Sequence, residues 1–113
     1  IGAFLDWGLE KDLFLPFKEQ LGHIRPNKEY LVSLYIDKSD RLCATMKVYE
    51  RLHSDSPYQK GDQVTGTVYR VNPEIGVFVA VDNRYFGLIP KKEIYDNYRT
   101  GDQVNARVTA RRF

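Results

Sequence analysis

Apolar and polar residues alternate along most of this chain with a period of two, which argues strands rather than helices. In "GDQVTGTVYRV" (Gly61–Val71), Val64, Gly66 and Val68 share one side of an extended segment and Thr65, Thr67 and Tyr69 the other. In "GVFVAV", Val77, Val79 and Val81 alternate with Phe78 and Ala80. "DNR" (Asp82–Arg84) carries turn chemistry, and "YFGLIP" is a third strand stopped by Pro90. "KKEIYDNYRT" is polar, with room for one helical turn. "GDQVNARVTARRF" then predicts a fourth strand, with Val104, Ala106, Val108 and Ala110 inward and Asn105, Arg107, Thr109 and Arg111 outward.

The first half has the same texture. "GAFLDW", "LFLPF", "EYLVSLYID" and "RLCATMKV" are four β-rich runs. In the third, Tyr30, Val32, Leu34 and Ile36 alternate with Leu31, Ser33 and Tyr35. "DKSDR" (Asp37–Arg41) is a hairpin turn. A shift of 74 positions, without a gap, lays Ile1, Gly2, Phe4, Pro16, Lys18 and Glu19 on Ile75, Gly76, Phe78, Pro90, Lys92 and Glu93. It also lays Asn27–Lys28 on Gly101–Asp102. The second copy has a strand before its glycine motif, and the first has one after its "DKSDR" turn. The pattern therefore predicts an all-β chain of two tandem five-stranded antiparallel barrels, the first lacking its first strand and the second its last. Closure into barrels removes exposed edges. The expected boundaries are a module over 1–53, a linker over 54–59 within "HSDSPYQKGD", and a module over 60–113.

Composition narrows the classes of function. Hydrophobic residues make up 42% and charged residues 28%, which suits a packed core rather than a disordered tail. No apolar run approaches the roughly 20 residues of a membrane-spanning helix, so no membrane partner is expected. No secretory signal is visible, and Ile1 suggests a piece of a longer protein. The single cysteine, Cys43, cannot staple a fold; it is expected to be buried and the setting cytoplasmic. Residues 1–53 hold eight Lys/Arg against eight Asp/Glu, and residues 54–113 nine against seven, so the mild basic bias lies in the second half. His23 and His53 stand far apart, and no zinc spacing, phosphate-cradling loop or nucleophile set occurs. Neither catalysis nor a cofactor or metal is expected.

The ordered motifs "KGDQVTGTV", "IGVFVAV", "FGLIPKKEI" and "GDQVNARV" resemble the S1 RNA-binding domain, a barrel of the oligonucleotide/oligosaccharide-binding (OB) fold. "IGAFLDWG", "LFLPFKEQ" and "YLVSLYIDKSDRLCATMKV" match it more loosely and look like the conserved virulence factor B type of bacterial tandem S1 protein. The resemblance implies single-stranded RNA as partner, bound on one barrel face through outward aromatics, nearby cations and an Asp and Arg flanking the last hairpin. Phe78 and Phe4 match the outward aromatic, and Asp37 and Arg41 the hairpin pair. Two departures thin that surface: Ile1 and Ile75 stand where the family often has a ring, and Pro16 and Pro90 where it often has His.

Rings interleaved with cations add further candidates: Tyr69 and Arg70 at the end of one strand, Arg84, Tyr85 and Phe86 at the start of another, and Lys91 and Lys92 after Pro90. Arg107 and Arg111 share an outward strand face. Each has a blander alternative, as a solvated charge or a rim ring. Trp7 aligns with Val81 and Phe14 with Leu88; Phe14 is expected in the core, Trp7 in the core or an inter-module contact. The expected function is an RNA-binding module of a bacterial post-transcriptional or virulence regulator, working through Phe78, Phe4 and nearby Arg and Lys; a mixed arrangement has the more basic second module bind RNA while the first orients it. The alternative is a protein-docking or spacer module for a ribosome- or nuclease-associated complex, with other modules of the same chain or ribosome-associated proteins as partners. Open barrel edges would also permit a strand-exchanged dimer.

Overall fold

A computed structural model describes residues 1–110; Arg111, one of the candidate RNA contacts, lies outside the described residues. Eight strands alternate with three single 3-10 turns, at Phe17–Glu19, Tyr49–Arg51 and Lys91–Glu93. The first half carries β1 (Gly2–Leu5), β2 (Leu13–Pro16), β3 (Ser33–Ile36) and β4 (Leu42–Thr45). The second carries β5 (Gln63–Asn72), β6 (Gly76–Val81), β7 (Tyr85–Pro90) and β8 (Gln103–Arg107). They form two four-stranded sheets, β1-β2-β4-β3 and β7-β6-β5-β8. All pairings are antiparallel except β2–β4, which run parallel at Phe14↔Cys43. Among the described residues neither sheet is closed.

The sequence repeat is a structural repeat. Gly2↔Pro16, Ala3↔Leu15 and Phe4↔Phe14 in β1–β2 correspond to Gly76↔Pro90, Val77↔Ile89 and Phe78↔Leu88 in β6–β7. Pro16 and Pro90 both have φ −60°, the angle the proline ring imposes, and both lead into a 3-10 turn. The turns are pinned alike, by Phe17 N donating to Ile1 O at 3.0 Å and Lys91 N donating to Ile75 O at 2.9 Å. That crossing explains the shared glycine. A Cβ on Gly2 would lie 2.5 Å from Leu15 O, and one on Gly76 2.1 Å from Ile89 O. Gly76 also has φ +143°, outside the range of ordinary side chains.

Three apolar clusters sit behind these strands. Leu13, Leu15, Ala44 and Met46 form the first-half core, and Val68, Val77, Val79 and Val104 the second. Val48, Tyr69 and Ala80 form a third that joins the halves. It exists because β5 changes register between Val68 and Arg70, and because the first half covers the sheet's other face. Val68 and the adjacent Tyr69 are therefore both buried, at 1% and 3% exposure. The junction is also tied by backbone: His53 N donates to Arg84 O at 2.8 Å and Phe86 N to His53 O at 2.9 Å. The chain entering the expected linker is thus fastened to the edge of β7.

Several side-chain placements differ from the strand pattern. Phe14 is half-buried on the outward face of β2, because Leu13 and Leu15 take the core side. Trp7 is exposed between β1 and β2, its Nε1 donating to Lys11 O at 2.8 Å. Leu34 and Ile36 are exposed, because β3 is an edge strand of an open sheet. Cys43 is buried and free, as expected.

Candidate nucleic-acid interface

The best-formed surface lies on the first half. Phe4 and Phe14, directly opposite one another on β1 and β2, bring their ring centroids to 5.2 Å at 40°. Phe4 is 70% exposed. The Arg41 guanidinium lies over the Phe14 ring, 5.7 Å from its centroid. It is oriented by Asp37 at the other end of the β3–β4 hairpin. Asp37 Oδ1 accepts from Ser39 N at 2.8 Å and Arg41 N at 2.9 Å; Oδ2 accepts from Arg41 Nε at 3.2 Å and lies 3.1 Å from Nη2. The Arg41 backbone N–H is the main reason the Asp37 carboxyl is held below its ordinary range. Asp40, with φ 63°, closes the turn that makes this possible. Burial, then Asp37, push the Cys43 thiol up, so it stays an inert neighbour.

The second half arranges its rings differently. Phe78 is half-buried, not free: the Arg70 guanidinium lies 5.7 Å from its centroid, with Tyr69 at 6.1 Å and Phe86 at 6.2 Å. Tyr69 offers no open ring face to a base, because Val48 and Ala80 bury it. Phe86 continues the cluster across the junction, edge-on to Tyr49 at 5.3 Å. Tyr85 packs instead against His53 and Tyr58, at 6.4 and 6.5 Å. Arg84 is exposed beside it, and Lys91 and Lys92 are exposed on the turn after β7.

The predicted site residues therefore fall into groups. Phe4, Asp37 and Arg41 come together; Tyr69, Arg70, Phe78 and Phe86 come together; Arg107 does not join them. Arg107 pairs with Gln63, at the far end of β5 from Arg70. Seven residues of strand separate those positions, roughly 23 Å. Phe14 and Tyr49 complete the two clusters and were not expected there. For Phe14 the signal was present in the strict alternation of "LFL". For Tyr49 there was none, because its partner Phe86 belongs to the other half.

The halves meet again at their matched positions. Lys28 Nζ donates to Asp102 Oδ1 at 3.0 Å, and Arg25 Nη2 donates to Thr100 O at 3.2 Å. Burial acts to raise the Asp102 carboxyl, but the Arg99 N–H and the Lys28 ammonium outweigh it, and the carboxyl is held low. No group of three or more His, Cys, Asp or Glu placed to hold a metal occurs among the described residues. No helix there is long and apolar enough to cross a membrane.

Comparison with known proteins adds two matches. Residues 58–111 match the family described as S1 RNA binding domain, and residues 1–47 match the family described as S1 domain. No curated protein and no solved structure gives a significant match.

Proposed function

Both halves of this chain belong to the S1 family, and from that premise we propose that it binds single-stranded RNA, with the first half presenting the principal platform. The supporting observation is the Phe4 ring, 70% exposed, beside Phe14 and a guanidinium held in place by Asp37. A base stacked on Phe4 gains about 1–3 kcal/mol irrespective of its identity. Arg41, 65% exposed at its side chain, supplies a positive charge whose direction is already set, so little rotamer freedom is lost when a phosphate arrives. On this reading the electrically neutral first half has the open platform, while the more basic second half has its ring under Arg70.

Further parts of the reading are proposals of the same kind. Each half, over 1–53 and 60–113 with a linker over 54–59, is part of a five-stranded barrel, the first lacking its first strand and the second its last. A strand between β7 and β8 would fill the gap of about 590 Å³ lined by Val64, Val79, Leu88 and Val104, as β4 lies between β2 and β3. The chain serves in a bacterial post-transcriptional regulator, in the cytoplasm, without catalysing a reaction. The second reading, a docking or spacer module, draws on Leu34 and Ile36 of the edge strand β3 and Leu42 opposite Ile36 on β4, exposed by 40, 59 and 43%. Titrating the chain with short single-stranded RNA at several salt concentrations separates the two. Salt-sensitive binding with amide shifts on β1, β2 and the β3–β4 turn is the expected result. Absence of binding at low salt leaves docking as the better account.

A further inference from the structure

The junction between the halves holds a cleft of about 600 Å³. Lys47, Tyr49, Glu50 and Arg51 come to it from the first half, and Tyr69, Arg70 and Phe78 from the second. Three features of this cleft point to a ligand. Tyr49 is 60% exposed, and its one aromatic pair among the described residues is edge-on, with Phe86. Lys47, Arg51 and Arg70 are exposed and make no ion pair among the described residues. The Tyr69 hydroxyl is buried, with no hydrogen-bond partner among the described residues. Burial pushes that phenol up to about 12, so it remains a donor without an acceptor.

Acidic groups, Glu19 and Glu50, line the cleft too. Glu19 is engaged, its Oε1 accepting from Thr45 Oγ1 at 2.6 Å. Glu50 is exposed and forms no ion pair among the described residues. It repels a phosphate and can accept from the amino or imino edge of a base.

We propose that the cleft takes one nucleotide of a single-stranded RNA, its base against Tyr49 on the Glu50 side and its phosphate on Lys47, Arg51 and Arg70. A base carbonyl or ribose oxygen is the acceptor that Tyr69 lacks. The inference rests on the RNA-binding reading above and extends it: the strand passes through the junction, so the two halves act as one site rather than two independent ones. Because a stacked base on an aromatic is sequence-tolerant, the cleft contributes affinity more than sequence choice.

The test uses the 113-residue chain and a fluorescein-labelled oligocytidylate RNA, read by fluorescence anisotropy at low salt. Tyr49→Ala, at an exposed position, weakens binding by about fivefold or more, the lower end of one stacked base, and Lys47→Ala, also exposed, weakens it more than about twofold and lowers the salt slope by about one phosphate. Glu50→Gln tightens it. Tyr69→Phe weakens it while raising the melting temperature, because the hydroxyl has no partner in the free protein. Backbone amides at Tyr49 and Arg70 shift during an NMR titration with the same oligonucleotide. The proposal is overturned if Phe4→Ala weakens binding while all four cleft variants stay within about twofold of the parent and those amides do not move; the RNA-binding reading survives that result. Loss of all binding by the parent chain at low salt defeats both. Capture of a protein by the cleft, resistant to ribonuclease and abolished by Tyr49→Ala, also overturns the nucleotide assignment.

Discussion

Replacing Phe4 by alanine separates binding from folding. The ring is 70% exposed, so most of its surface is already in water in the folded chain. Its aromatic contact is Phe14, tilted at 40° with centroids 5.2 Å apart. Such a pair contributes about 0.5–1.5 kcal/mol to stability, and the open edge of this one favours the lower figure. A base stacked on the same ring contributes about 1–3 kcal/mol to binding, or roughly 5- to 150-fold in the dissociation constant. Phe4→Ala should therefore lower RNA affinity at least about fivefold while shifting the urea midpoint little. The variant removes no charge. The slope of log K against log salt, about 0.7 per phosphate neutralised on a single strand, should not change. Arg41→Ala should instead reduce that slope by about one phosphate. Anisotropy titrations at four salt concentrations, beside urea unfolding, measure all of these quantities. Unchanged affinity for Phe4→Ala, with salt-dependent binding intact, would refute the platform.

Three other outcomes test the fold that carries this surface. Gly76→Ala should destabilise by more than about 1 kcal/mol, since φ +143° and a Cβ 2.1 Å from Ile89 O leave no room for a side chain; chemical denaturation checks it. Leu15→Ala, at 0% exposure, should cost about 2–5 kcal/mol and lower the melting temperature by several degrees. Asp37 and Asp102 are both held below the ordinary value of 3.8, so each adds stability that is present above that pH and lost as pH falls toward the lowered value. Asp37→Asn with Asp102→Asn should be less stable than the parent near neutral pH, and the difference should shrink as pH falls through that range; urea unfolding at several pH values measures it.

The match between the halves was legible before any coordinates, and its cause is now physical. Ile-Gly and Pro-x-Lys-Glu recur because each glycine lies under the backbone that leaves the following strand through a proline-led turn. The hairpin pair Asp37 and Arg41 was legible too, because both groups lie within one five-residue turn and need no distant partner. Phe14 was misplaced although its own neighbours, Leu13 and Leu15, alternate with it. Its alignment with Leu88 suggested core, yet Leu88 is itself 41% exposed. Tyr69 and Phe78 are less open than strand alternation suggests, for another reason. Strand alternation states which residues leave the sheet's own core, and it is blind to a second layer that covers the outer face.

Period-two patterning, turn residues and an internal repeat are local or self-referential, so the amino-acid order alone established an all-β chain written twice. Which outward rings stay in water depends on where one half lies against the other. That was decided by Val48, Leu52 and His53 docking on the β5–β7 surface, through contacts spanning more than a dozen residues of chain. The docking covers Tyr69 and half of Phe78, leaves Phe4 open, and shapes the cleft between the two halves, because burial is a property of the assembled surfaces and not of the residues one at a time.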